Sequence, residues 1–305
     1  MGWGKWALDR TESQTGSSPN IRIGLAQGNI AQHLKWNKLY QQATMKFYKE
    51  LTLKAAKEKP ELIVWPEAAI TVFKGDGEIL LAEIQRDAEK AGTTLVTGIP
   101  DRSENGGFQN TVLALGNGSG QYIKRRLVPF GEYVPLESLL RGLIQFFDLP
   151  MSRNTSGPWQ QSPLLAGNLL LSISICYEVV YPELVRQSTY GADLLVTVSN
   201  DTWFGSSIGP WQHLQMARMR ALENGRAMVR ATNNGITALI DHRGRLQAKL
   251  PQFEPGVLRG DVEIRTGSTL FSQLGCLPSF GLSFLLILAG VFLPQRLARI
   301  HGDAG

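Results

Sequence analysis

Cysteine and histidine are scarce in this chain. Its 305 residues hold two cysteines, Cys176 and Cys276, and four histidines, His33, His213, His242 and His301. Two cysteines, one closing an apolar run and the other opening one, do not make a disulfide framework, and they leave the redox compartment open. No histidine falls in an H-E-x-x-H pattern and neither cysteine in a C-x-x-C pair, so no metal site and no cofactor are expected. Dense blocks of one charge are missing too, because the net charge of +5 is spread along the sequence. That distribution argues against nucleic acid as a partner and leans toward an anionic membrane surface. Residues 1–20 lack an apolar stretch of signal-peptide length, and Trp6 stands where N-myristoylation wants Ser or Thr. This stretch reads as a linker or a truncated junction.

What is present is a core-forming α/β pattern. With 43% hydrophobic residues, the chain can bury one large unit. Residues 21–27, 61–65, 94–98 and 193–199 read as strands. Helices are expected over 36–59, with Leu39, Ala43, Phe47, Leu51 and Ala55 on one face, and over 78–91 and 210–226. GNGSG between Thr111–Leu115 and Gln121–Arg126, and Asn234-Gly235 between 228–232 and 236–241, are hairpin signals. Such alternation means a sheet covered by helices. Gly205-Ser206-Ser207-Ile208-Gly209 matches the G-x-S-x-G nucleophile elbow, but Asp201 to Phe204 separate it from the preceding strand, so the match reads as chance.

Three strand ends carry the candidate chemistry. The apolar run Leu169 to Ile175 stops at Cys176, where a thiol held on a buried strand can be offered to a cleft. ELIVW (61–65) is halted by Pro66, which leaves Glu67 at the sheet rim. In Gln121–Arg126 the residues Tyr122, Lys124 and Arg126 share a face, so Lys124 can point inward. Taken singly, each has a blander account: a buried small hydrophobe, an exposed rim acid, a solvated strand lysine. A Cys-His dyad is a further option, although no spacing puts a histidine beside Cys176.

An apolar run is the second signal. Residues 274–293 (LGCLPSFGLSFLLILAGVFL) carry no charge, which is about the length of a bilayer's hydrocarbon core. A buried core helix is the alternative, but Pro278, Gly281 and Gly290 suit a membrane span better. Arg296 and Arg299 follow directly, so the positive-inside bias puts residues 294–305 in the cytoplasm as a tail. Trp203, Phe204 and Trp211 near the Gly-rich loop, and Phe146 and Phe147 at the end of LESLLRGLIQFFDLPM, are candidate substrate loops facing lipid or lidding an acyl chain. Ordinary packing is the competing account.

Taken together, IRIGLAQGNI, VWPEAA, YIKRRLVPFGEYVP and ICYEVVYPE resemble the nitrilase (carbon-nitrogen hydrolase) superfamily. QGNIAQHLKWN, PFGEYVP, SNDTWFGSSIGPWQHLQMARMRALENGR and NNGITALID resemble one branch of it, the apolipoprotein N-acyltransferases. The resemblance implies an α-β-β-α sandwich over residues 21–266 and a catalytic triad of Glu67, Lys124 and Cys176. It implies supporting roles for Glu132, Tyr177 and Glu178, with Glu67 as general base and Lys124 as oxyanion donor. A structural ion pair is the plainer account of Glu132. The implied reaction takes a fatty acyl chain from a phospholipid as a Cys176 thioester and passes it to the α-amino group of an S-diacylglyceryl-cysteine apolipoprotein. The implied location is the inner (plasma) membrane with the catalytic domain on the periplasmic side. Branch members carry membrane helices ahead of this domain, and this chain shows none, so it reads as the C-terminal catalytic portion. The alternatives are an amidase hydrolysing a small C-N substrate and an inactive truncated remnant.

Overall fold

The computed structural model describes residues 17–104, 106–133 and 154–302, with backbone alone at 17–19 and 292–302. Its first half holds the strands β1 (Ser17–Gln27), β2 (Leu62–Val64), β3 (Thr94–Arg102), β4 (Phe108–Gly116), β5 (Gly118–Ser119) and β6 (Gln121–Ile123). After them come β7 (Leu164–Ala166), β8 (Leu169–Ile175), β9 (Leu194–Ser199), β10 (Met228–Thr232), β11 (Ala238–Ile240), β12 (Leu246–Lys249) and β13 (Gly256–Arg265). They form two sheets, one ordered β13-β1-β2-β3-β4-β6 and the other β12-β11-β10-β9-β8-β7-β5.

Both sheets have a parallel centre, β1-β2-β3 in one and β8-β9-β10 in the other, with antiparallel strands outside. Central parallel strands are covered on both faces, and so β2 and β9 read as unbroken apolar or small residues, all of them buried. The inner faces meet in one core, where Ile23, Leu25, Val64 and Val112 of the first sheet pack with Leu171, Ile173, Val196 and Val229 of the second. The GNGSG turn joins the two layers: β4 and β6 pair in the first sheet while β5 between them pairs with β7 in the second.

Helices cover the outer faces. Helix α1 (Gln32–Lys35) is a single turn, and α2 (Lys38–Ala56) and α3 (Glu78–Lys90) pack on the first sheet through Met45, Tyr48, Leu51, Ala55, Ile84 and Ala88. Helices α4 (Pro182–Ser188) and α5 (Gly209–Asn224) cover the second through Val185, Leu214, Ala217 and Ala221. The α-β-β-α sandwich implied by the resemblance is therefore present. The helix expected over 36–59 is present as α2 and shorter at both ends: Asn37 caps it, its side chain accepting from Leu39 N–H at 3.0 Å. Its buried face is also shifted, since Leu39 and Ala43 are exposed while Thr44, Met45, Tyr48, Leu51 and Ala55 are buried.

The run at 274–293 is not one helix. Helix α6 (Leu270–Leu274) ends at Gly275, whose φ of +57° turns the chain, and α7 (Leu277–Gly302) starts beyond Cys276. Among the described residues no helix is long and apolar enough to cross a membrane. The side chains described on α7 include Leu277, Phe280, Leu282, Phe284, Leu285, Leu286, Ile287 and Val291, all exposed. Phe146 and Phe147 lie outside the described residues.

Candidate active site

Ligands of parallel α/β sheets sit beyond the carboxyl ends of the strands. Glu67 lies there after β2, Cys176 after β8 and Asp201 after β9. Pro66 and the φ of +45° at Ala68 turn the chain out of the sheet. Gly98 of β3 is packed so closely under that turn that a Cβ would collide with the Ala68 nitrogen. The Glu67 side chain is buried, Oε1 accepting from Asn110 Nδ2 at 2.6 Å and Oε2 from the Asn200 backbone N–H at 2.8 Å. Its carbonyl accepts from Lys35 Nζ at 2.9 Å.

Lys124 lies one residue past the end of β6 and is 1% exposed. Its ammonium donates to Glu132 Oε1 at 2.7 Å and lies 3.9 Å from Glu67 Oε1. Burial by itself would lower the lysine's pKa, but the charges of Glu67, Cys176 and Glu132 outweigh it and hold Lys124 above its ordinary value. Glu132 is fixed in turn by the Val128 N–H at 2.8 Å. The alternation expected along 122–126 fails at its end: Arg125 is buried beside Tyr122 and Lys124, and Arg126 is exposed. The strand stops at Ile123, so period two no longer applies.

Cys176 opens a 3₁₀ turn, Cys176–Val180, and its φ is +52°. A non-glycine residue there costs of order 1–3 kcal/mol and persists only where neighbours over-determine it. Glu178 supplies one restraint. Its buried carboxylate accepts from the backbone N–H groups of Ile175 (2.8 Å), Arg125 (2.7 Å) and Arg126 (3.1 Å) and from the Tyr122 hydroxyl (3.0 Å). The acid thus ties the end of β8 to the segment after β6, which brings Cys176 and Lys124 together. Burial pushes the Glu178 carboxyl up, partly offset by those backbone donors and Lys124. Tyr177 meets Tyr181 edge to face, ring centroids 5.8 Å apart. Burial, then the negative charge of Glu67, drives the Cys176 thiol up to about 12, with Lys124 opposing.

Several residues here escaped the sequence reading. Lys35 is buried, and burial drops its pKa to about 8 although Glu67 and Cys176 oppose that. His213 does stand beside Cys176, a placement that spacing left open, but it faces the backbone: Nε2 lies 3.0 Å from the Cys176 carbonyl oxygen. Asn110, Asn200, Asp201 and Arg230 complete the surroundings. The signal for Asn200 and Asp201 was their place directly after β9, at the same strand-end level as Cys176. Nothing in the sequence distinguished Asn110, the third residue of β4. Of the proposed substrate loop, Trp203 is 71% exposed, while Phe204 packs edge-on against His213 with centroids 6.1 Å apart. Trp211 belongs to α5 rather than a loop, with Lys249 Nζ 4.3 Å above its ring. The G-x-S-x-G serines are exposed and follow a 3₁₀ turn, Asp201–Phe204, not a strand.

The Carbon-nitrogen hydrolase family model matches residues 22–269. The chain belongs to the carbon-nitrogen hydrolase family. Over 283 residues it is 48% identical to the apolipoprotein N-acyltransferase of Azotobacter vinelandii, covering 92% of this chain and 54% of that protein. Over 250 residues it is 50% identical to the apolipoprotein N-acyltransferase of Pseudomonas syringae pv. tomato, covering 81% and 49%. The chain spans about half the length of the curated relatives it matches. Solved carbon-nitrogen hydrolases share the fold. One from Helicobacter pylori superposes with a TM-score of 0.59 at 16% identity, covering 80% of this chain and 89% of that one. An amidase from a Nesterenkonia species gives 0.55 at 20%, covering 79% and 89%.

Proposed function

We propose that this carbon-nitrogen hydrolase chain is the catalytic part of an acyltransferase. It moves a fatty acyl group from a phospholipid to the N-terminal α-amino group of an S-diacylglyceryl-cysteine apolipoprotein. The carrying observation is that Glu67, Lys124 and Cys176 converge at strand ends in a chain 48% identical over 283 residues to a protein named apolipoprotein N-acyltransferase.

With its pKa near 12, the Cys176 thiol is protonated at neutral pH and needs a base. Glu67 accepts the Sγ proton as sulfur attacks the ester carbonyl, and the C=O electron pair moves to oxygen. Lys124 Nζ, braced by Glu132 at 2.7 Å, donates to that oxyanion. A second donor follows from the peptide plane. The Cys176–Tyr177 unit is trans, so with its carbonyl turned toward His213 its N–H points away from that ring; in this reading the acyl oxygen lies on that side. Collapse breaks the ester C–O bond, Glu67 returns the proton to the leaving alkoxide, and a lysophospholipid departs. The acceptor amine then attacks the thioester, loses its proton to Glu67, and releases the thiol.

Membrane attachment rests on the exposed apolar side chains of α7, backed by the exposed Trp203 and Ile208. In this reading the domain faces the periplasm from the inner membrane. Intact-mass measurement after incubation with diacyl phospholipid vesicles tests the assignment. The expected result is one acyl adduct, lost in Cys176→Ala and discharged by a diacylglyceryl-cysteine peptide. Turnover of small amides with no adduct would instead identify an amidase, and neither activity would identify an inactive remnant.

A further inference from the structure

Beside Cys176 lies a buried polar cluster that the reaction just described does not use, although its Asp201 charge raises the Cys176 thiol and its Ser199 hydroxyl lowers it. Four elements meet there: Ser199 at the end of β9, Asp201 in the following turn, His213 in α5 and Arg230 in β10. Each is 3% exposed or less. Arg230 Nη2 donates to Asp201 Oδ2 at 2.7 Å, and Ser199 Oγ donates to Asp201 Oδ1 at 2.6 Å. Burial would raise the Asp201 carboxyl, but Arg230, His213 and Ser199 outweigh it and hold it well below the usual carboxylate range. Gly235, after β10, lets the backbone press so close to Asp201 that any Cβ would collide with Oδ2.

This assembly grips one ring. His213 Nδ1 lies 3.0 Å from Asp201 Oδ1 and 3.1 Å from Arg230 Nη2. One neighbour is an acceptor and the other a donor, so the ring is held whether or not Nδ1 carries a proton. Nε2 faces only an acceptor, the Cys176 carbonyl, and must therefore be the N–H donor. That carbonyl belongs to the same rigid peptide as the Tyr177 N–H, and its residue sits at a φ of +52° that nothing intrinsic favours.

We propose that His213, locked by Asp201 and Arg230, is a positioning residue that fixes the plane of the Cys176–Tyr177 peptide and so aims the Tyr177 N–H at the acyl oxyanion. His213 itself reaches the carbonyl oxygen and acts on the oxyanion, whereas the influence of the cluster on the sulfur comes from Asp201 and Ser199. The inference rests on the thioester chemistry proposed above but not on the lipid identity of the donor. Its test therefore uses p-nitrophenyl butyrate.

The full chain is compared with His213→Met and His213→Gln. Glutamine places an amide nitrogen near the Nε2 position, whereas methionine removes the donor. In the Met variant the p-nitrophenol burst should slow about 100-fold, the size of losing an oxyanion donor, with the change in the maximal burst rate and not in the ester concentration that half-saturates it. Alkylation of Cys176 by iodoacetamide generates no oxyanion, so it should keep its wild-type rate. Glutamine should recover most of the burst rate. If burst and alkylation fall together, or the burst is unchanged, or a folded Gln variant is no better than Met, the proposal is overturned. Should the Met variant fail to fold, His213→Asn replaces it, because its shorter amide reaches the Nδ1 position but not the Cys176 carbonyl. Asn as fast as Gln then overturns the proposal, as does a wild-type chain that gives no burst. A wild-type burst without phospholipid acylation would discard the lipid reading and leave His213 in place.

Discussion

Two buried lysines flank Glu67, and their pKa values are displaced in opposite directions. Lys124 donates to the Glu132 carboxylate and approaches that of Glu67, and it is held above the ordinary lysine value. Lys35 reaches only the Glu67 backbone carbonyl, and burial lowers it to about 8. The two are almost equally buried, at 1% and 4% exposure. Burial thus does not by itself set the pKa: the charges of Glu67 and Cys176 act on both amines, and what Lys124 has besides is the Glu132 carboxylate in direct hydrogen-bond contact. On one side of Glu67 is a cation fixed at every working pH, suited to meeting an oxyanion. On the other is an amine that a small rise in pH can neutralise, suited to holding the Glu67 backbone.

In the proposed reaction the acyl group is carried on sulfur, so the largest effect should come from removing it. Cys176→Ala is expected to abolish adduct formation, a loss on the order of 10⁴-fold or more. Cys276→Ser, at the joint between α6 and α7, should leave the rate within a few-fold. Equal losses from the two, read by intact mass, would remove the single-nucleophile assignment. Next come the groups on the charged side. Lys124→Met and Glu67→Gln should each slow acylation by about 10²–10³-fold with the melting transition retained, and the double variant should be little worse than either. Additive losses in single-turnover kinetics would mean that the 3.9 Å approach of the two groups has no joint role.

How much of this could be read in advance follows from the kind of signal each residue leaves. Cys176 and Glu67 each end an apolar run, so strand, turn and rim position are all local and legible. The two-sheet sandwich came from the resemblance, because alternation of strand and helix is equally compatible with one sheet. Lys35 and His213 left no signal: each lies in a helix, and its role depends on a backbone carbonyl supplied from 32 and 37 residues away. Arg125 and Arg126 were misassigned because a side-chain period of two has meaning only while the strand lasts, and β6 stops at Ile123. The break at Gly275 was overlooked because hydropathy sums a window and is blind to a single left-handed residue.

A smaller effect distinguishes thiol chemistry from lysine chemistry. With the Cys176 thiol up at about 12, its thiolate fraction, and hence its rate of alkylation by iodoacetamide, should rise about tenfold per pH unit from 7 to 10. A free thiol would level off above about 8.5. The measurement is made in the Cys276→Ser background, and an early plateau would mean that Lys124 outweighs burial and Glu67 at the sulfur.

The smallest effect belongs to Lys35 and concerns stability. Its folded pKa of about 8 lies below the ordinary value of 10.5, so the native state gives up the proton first. Below about pH 8 both states are protonated, and the fold bears the full cost of a buried ammonium. Between 8 and 10.5 the unfolded chain binds more protons than the native one, so the Lys35 contribution to stability increases with pH. Cys176 changes stability in the opposite sense over part of that window, since a raised thiol favours the protonated fold and loses ground as the pH climbs toward 12. Taking the difference between wild type and Lys35→Met at each pH cancels the thiol contribution. Urea midpoints from pH 7 to 10.5 should show the wild type gaining on Lys35→Met above pH 8. Lys35→Met should also slow acylation about tenfold, far less than Lys124→Met, because it frees one backbone carbonyl and removes no oxyanion donor. A flat difference in midpoints would mean that Lys35 keeps its proton as firmly as Lys124 does, and the contrast between the two sides of Glu67 would disappear.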